Sequence, residues 1–264
     1  MRLLLATEHT EFDTGAEQMA YALARRQGSA LPVLLPILSN PEFEAVAPEM
    51  AIKADAEAAK RRRALEAEAG LPLVLKVRRG PELYLEIVEE AREQGTELLV
   101  IRRRGKRGWL ANLLVGEMVS KVVAHASCPM LIVPRGAKLW SRRVLVGVDP
   151  GAAGYGVIDL AIRLAKESQL PLTVVCVVEA GGERTLAEAA MANALSRAQA
   201  AGLAATGLVR EGRVHQALLD AIEEQGADLL VLGRHSGGLA RAWVGGSAQK
   251  LIGLVECPVL VDAG

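Results

Sequence analysis

Aromatic side chains are scarce in this chain: Trp, Tyr and Phe make up 3% of its 264 residues, while hydrophobic residues make up 51%. Leu, Val, Ile and Ala must therefore fill whatever core it builds. Neither charge sign is in excess, with 31 Lys and Arg against 31 Asp and Glu. A dedicated nucleic-acid binder usually carries a basic surplus, so that class is disfavoured. No apolar run approaches the roughly 18–20 residues of a membrane span, so no membrane partner is expected. The opening Met1-Arg-Leu-Leu-Leu-Ala6 meets Glu8 almost at once and reads as a first strand, not as a signal peptide. The three cysteines, Cys128, Cys176 and Cys257, fall in apolar strand-like contexts without a C-x-x-C. They read as small core residues of a reduced, cytoplasmic protein and suggest neither zinc nor a redox pair. The sequence has no His pair at metal-ligand spacing, no phosphate loop of the G-x-x-x-x-G-K-[ST] type and no G-x-S-x-G elbow.

What the chain does have is an internal repeat. Glu97-Leu-Leu-Val-Ile101, then Arg102-Arg-Arg-Gly105-Lys-Arg-Gly108, Gly116 and Cys128-Pro-Met-Leu-Ile-Val133 form the first copy. About 130 residues later come Asp228-Leu-Leu-Val-Leu232, Gly233-Arg-His-Ser-Gly-Gly238, Gly245-Gly-Ser247 and Cys257-Pro-Val-Leu-Val261. Each copy reads as a buried strand, a glycine-rich turn, a helix and a second buried strand. That period is too long for a solenoid and suits a whole domain written twice, over residues 1–135 and 141–264.

Apolar periodicity fills in the rest. In the first half it predicts strands at Leu3–Ala6, Pro32–Leu38, Leu71–Val77, Leu98–Ile101 and Met130–Val133. Helices are predicted over Thr14–Arg26 with Asp13 or Thr14 as N-cap, over Met50–Glu68, from Gly80-Pro81 to Gln94 with Pro at the first helical position, and over Asn112–His125. The second half predicts strands at Arg143–Val148, Leu172–Val178, Ala205–Val209, Leu229–Leu232 and Val259–Val261. Its helices are Ala153–Glu167, Arg184–Ala201, Gly212–Gln225 and Ser247–Val255. Alternating strands and helices imply α/β architecture: two tandem, doubly wound, five-stranded parallel sheets of the Rossmann-like kind. Ligands bind such sheets beyond the carboxyl ends of the strands. That points to Asp149, to Val177–Glu179 and to the segment from Gly233 to Gly238.

These residues resemble the universal stress protein family in its tandem form, whose fold is of the adenine nucleotide α-hydrolase-like class. The resemblance rests on Val146-Gly-Val-Asp149, Ala227-Asp-Leu-Leu-Val-Leu-Gly-Arg-His235, the Gly-Gly-Ser at 245–247 and Cys257-Pro-Val-Leu-Val261. The family motif is Gly, two residues, Gly, nine residues, then Gly-Ser or Gly-Thr. Here the second glycine has become Ser236, with Gly237 and Gly238 following, and spacing from Cys257 leaves the register open by one. The resemblance implies an adenine nucleotide site for ATP, ADP or AMP, with any Mg2+ carried by the nucleotide. In the second half Asp149, between Val148 and Pro150, would meet the ribose or adenine, and Val177 the base. The phosphates would lie on the backbone after Leu232, from Gly233 through His235, Ser236 and Gly237, and on Gly245, Gly246 and Ser247. Glycines let main-chain N–H groups approach an anion, and a helix starting at Ser247 adds its positive end. The alternative is a turn that merely permits close packing of strand and helix.

The first half departs from the motif. Its candidate positions are Thr7, Glu8, Ile37, Arg103, Gly105, Gly108, Gly116 and Glu117. Glu8 stands where Asp149 stands, Arg102 replaces the first motif glycine, and Glu117 replaces the Ser or Thr. A carboxylate about 5 Å from a phosphate charge costs about 3 kcal/mol at an effective dielectric near 20. The basic run Arg102–Arg104 with Lys106 and Arg107 pulls the other way, either by clasping phosphates or by pairing with Glu117. His9 and His235 are candidate contacts in the two halves; His125 and His215 read as helix residues without a site. Trp109 and Trp243 read as anchors for the following helices.

The function expected is a regulatory nucleotide ligand in a stress or signalling protein, with slow hydrolysis at most and no catalytic residue. The alternative is an interaction protein whose sites are vestigial, a reading that Ser236 and Glu117 favour. An enzyme of the wider nucleotide class ranks lower, since no His-x-Gly-His occurs. The resemblance also implies an intramolecular pseudo-dimer through the last strands, Pro129–Pro134 and Pro258–Asp262, with a homodimer of whole chains left open.

Overall fold

The computed structural model describes residues 1–103, 116–150, 155–234 and 247–263. The chain divides into two compact units, the first closing at Lys138 and the second opening at Leu139. In the first unit the elements run β1 (Leu3–Ala6), α1 (Thr14–Gln27), β2 (Leu31–Leu38), α2 (Pro41–Val46), α3 (Pro48–Ala69), β3 (Leu73–Gly80), α4 (Leu83–Glu93), β4 (Leu98–Arg102), α5 (Glu117–His125) and β5 (Met130–Val133). The second runs β6 (Val144–Val148), α6 (Tyr155–Ser168), β7 (Leu172–Val178), α7 (Arg184–Ala200), β8 (Ala205–Glu211), α8 (Val214–Gln225), β9 (Leu229–Gly233), α9 (Ser247–Leu254) and β10 (Val259–Asp262).

Each unit is a parallel sheet of five strands. The order is β3-β2-β1-β4-β5 in the first and β8-β7-β6-β9-β10 in the second. The chain moves from β1 out to β3 on one side and returns to β5 on the other, and the right-handed sense usual for such crossovers puts helices on both faces. Every residue of β1, β4, β5 and β7 is buried, and all but Arg102 and Thr173 are apolar, as strands covered on both faces are. Three helices end on glycines in the left-handed region, Gly28, Gly70 and Gly226, where a side chain would be strained.

The elements follow the sequence pattern with four differences. Helix α2 was not expected; Asn40 accepts the Glu42 N–H and starts a short turn there. Pro81 does not open α4. Gly80 instead completes β3 opposite Leu38, and the helix begins at Leu83. The Arg78 guanidinium on β3 grips Glu86, Glu89, Glu90 and Glu93 of α4, so the helix is registered by ion pairs and not by its proline. Asp13 sits at the N-cap of α1 but makes no capping hydrogen bond. Trp140, expected in a polar linker, is buried with its indole N–H donating to Ser168 Oγ at 2.9 Å. Helix α5 is described from Glu117; the rest of the expected Asn112–His125 helix up to residue 115 lies outside the described residues, as do Trp109 and Trp243.

The linker reaches β6 under one carboxylate. Asp228 accepts the backbone N–H groups of Ser141, Arg142 and Arg143 at 2.8–3.1 Å. Burial alone would raise this carboxyl, but the three donors outweigh it and hold it below the usual aspartate range.

Candidate functional site

The ladder registers map one unit onto the other. Ala6 pairs with Ile101 and Gly147 with Leu232, so the two first strands correspond. Thr7 then matches Val148, Glu8 matches Asp149 and His9 matches Pro150. Arg102 lies opposite Val133 and Gly233 opposite Asp262, so Arg102 matches Gly233. Leu34 lies beside Ala6 and Val175 beside Gly147, which matches Pro36, not the expected Ile37, with Val177. Ile37 is one residue farther along, and Pro36 contributes to the crevice lining.

In both units the strand order reverses beside the first strand, between β1 and β4 and between β6 and β9. Adjacent crossovers diverge at such a point and leave a crevice at the carboxyl ends. The sequence-derived positions converge there. Thr7, Glu8 and Arg103 flank it in the first unit; Val148, Asp149, Pro150, Val177, Leu232 and Gly233 flank it in the second.

The first crevice is filled by the protein itself. Arg102 ends β4 with its side chain 4% exposed. Its guanidinium donates to Glu8 Oε2 at 2.9 Å, to Asp13 Oδ2 at 2.6 Å and to Thr10 Oγ1 at 2.8 Å. Asp13 Oδ2 also accepts the Thr10 N–H and hydroxyl, at 2.8 and 2.6 Å, so that one oxygen takes three donors. The cavity left among Ala6, Thr7, Pro36, Ile87, Arg102 and Met118 measures about 10 Å³. That space holds about one water.

A second polar group lies behind it. Thr7 donates its hydroxyl to Glu17 Oε1 at 2.7 Å and accepts the His9 N–H at 2.8 Å. The His9 ring nitrogen Nδ1 meets the same carboxylate at 3.0 Å. Burial pushes the Glu17 carboxyl up, and the Thr7 and His9 contacts only partly offset it. His9 has φ of +50°, a conformation that Pro150 cannot share, so the loops after β1 and β6 differ. Glu117 is 84% exposed and pairs with Lys121 one turn on, at 3.2 Å; Arg104, Lys106 and Arg107 of the basic run lie outside the described residues. Gly105 and Gly108 lie outside the described residues, and Gly116 immediately precedes α5.

The second crevice has another character. Gly233 contributes no side chain where Arg102 fills the first. Val177 and Leu232 are 7% and 8% exposed and form an apolar wall. Asp149 is partly exposed at the end of β6. The Cys176 thiol is pushed up to about 11, first by burial and then by the Asp149 charge. His235, Ser236, Gly237, Gly245 and Gly246 lie outside the described residues; α9 starts at Ser247 as expected. The residues present fit a nucleotide here: an acceptor for sugar hydroxyls, an apolar wall for a base, and a helix start after the glycine loop.

Reading the halves separately overlooked Thr10, Asp13, Glu17 and Pro36. Comparing them would have exposed the first two. The loops from Thr7 to Thr14 and from Val148 to Tyr155 are equally long, and Thr10 and Asp13 stand where the second half has Gly151 and Gly154.

The Universal stress protein family model matches residues 1–134 and again 141–262. Among solved structures, a universal stress protein from Archaeoglobus fulgidus superposes with a TM-score of 0.71 at 20% identity, covering 98% of this chain and 95% of that one. A functionally unknown protein from Pseudomonas aeruginosa gives 0.66 at 20% identity, over 99% and 92%. Comparison with curated proteins returns no match. The two family matches together span almost the whole sequence, and the folds agree over the same length. The chain belongs to the universal stress protein family and carries its domain twice.

Proposed function

We propose that the chain binds an adenine nucleotide in the crevice of its second unit and uses it as a regulatory ligand in a stress response or in signalling. The observation that carries the reading is Gly233 at the end of β9, beside Asp149, where the matching position of the first unit is a buried arginine. A glycine at that point lets backbone N–H groups approach a phosphate. The half-exposed Asp149 carboxylate suits ribose hydroxyls, and Val177 with Leu232 suits the flat apolar face of a base. The glycine-rich segment before α9 and the N-terminus of that helix would receive the phosphates, contributing up to about 2 kcal/mol from the helix end. Any Mg2+ arrives with the nucleotide. The sequence offers no motif that activates water, so turnover is expected to be slow and the nucleotide to act by binding.

The test is titration calorimetry of the full, nucleotide-stripped chain with Mg-ATP, Mg-ADP and AMP. Saturable binding that is lost in Gly246→Trp and weakened in Asp149→Ala supports the reading. No heat at millimolar nucleotide overturns it and favours an interaction protein whose site is vestigial.

A further inference from the structure

We infer that the first unit carries an internal ligand: Arg102 permanently occupies its crevice, which has become a guanidinium site closed to phosphates. The premise shared with the proposed function is that this end of the sheet is where such a domain holds a ligand.

Three observations converge. The guanidinium is enclosed and has three separate acceptors, Glu8, Asp13 and Thr10. Two of those acceptors carry negative charge, against one positive charge on Arg102. A phosphate entering there would have to displace a buried guanidinium already held by two carboxylates and a hydroxyl. The substitution is also concerted. At the matching positions of the second half, Arg102, Thr10 and Asp13 are all replaced by glycine, as Gly233, Gly151 and Gly154. The plug and two of its receptors are present together in one half and missing together in the other. The acid at the strand end persists in both, as Glu8 and Asp149, and in the first unit it accepts from an internal cation.

The functional consequence is a protein with one input. The first unit keeps the filled arrangement at every nucleotide concentration, and only the second can report a change.

The decisive experiment is chemical rescue. Arg102→Ala in the full chain removes the side chain beyond Cβ, and ethylguanidinium replaces the missing atoms. The variant is expected to melt about 10 °C below the parent and to regain most of that loss in low-millimolar ethylguanidinium. Ethylammonium, which lacks the planar fork, should restore little, and the parent should respond to neither. Equal rescue by both cations, or none in a folded variant, overturns the assignment. If the variant does not fold, hydrogen exchange on the parent decides. Adding saturating Mg-ATP should leave the amides at 7–10 and 102–103 unchanged, and protection there would overturn the closed crevice. The failure of nucleotide binding altogether would instead show at 148–149 and 232–234, so the two proposals fail at different residues.

Discussion

A single buried carboxylate shows how much one residue decides in this chain. Asp13 occupies a helix N-cap position, where its usual partner is a backbone N–H of the first turn. It turns instead to Arg102 and Thr10, because a guanidinium inside the protein demands a charged acceptor more strongly than a helix end demands a cap. Removing Arg102 therefore strands Asp13, at 1% exposure, without its counter-charge. A loss of about 3–5 kcal/mol is expected from that, read as the shift in urea midpoint of Arg102→Ala. Asp228 gives a second prediction. Its folded pKa lies below the ordinary value, so the stabilisation it provides is present above the unfolded pKa, near 4, and disappears as pH falls through the folded one. Asp228→Asn should cost about 2 kcal/mol at neutral pH. The gap from the parent should close between about pH 5 and pH 2, and a gap that stays constant through that window would refute the role given to the carboxylate.

Elements are held where small residues allow close approach. Helix α1 lies on the end of β5 through Gly15. A Cβ there would stand 2.6 Å from the Arg135 carbonyl oxygen and closer still to that of Pro134. Those are backbone atoms and cannot swing aside. Gly15→Ala should cost about 1–3 kcal/mol by overpacking, with the urea midpoint falling and the slope unchanged. The matching Gly156 on α6 is less critical, because its nearest neighbour is the Asp262 side chain at 3.0 Å, which can rotate. At Gly156→Ala a smaller loss is expected in the same measurement. Helix α4 is placed differently, through the four glutamates around Arg78. Burial opposes ionisation of Glu90, but Lys76, Gln94 and Arg78 together hold its carboxyl below the usual range.

For the whole molecule, the expected stoichiometry is one nucleotide per chain. Two equal sites in a Mg-ATP titration would mean that the arginine in the first crevice yields to phosphate. Duplication gave both halves the same sheet order and the same switch point. Divergence then acted at the strand ends, where a change of side chain alters the crevice without touching the ladder.

The sequence alone determined the architecture. Continuous apolar strands, helical periodicity and a repeat of whole-domain length are local properties, and they suffice to specify two parallel α/β units. It also located the candidate site in the second half, since Asp149 and Gly233 lie at strand ends that any parallel sheet brings to one edge. The contacts of Arg102 were decided only by tertiary structure. Glu8, Asp13 and Arg102 are up to 94 residues apart, and which charge meets which follows from the strand order that sets β4 beside β1. The same holds for Pro36, whose place at the crevice depends on a register that shifts by one without any change in the apolar pattern, and for Pro81, whose helix is positioned by an arginine on the preceding strand. Local preference fixes which elements form; the choice among long-range partners is made by the free energy of burying a charge, and that exists only once the sheet has assembled.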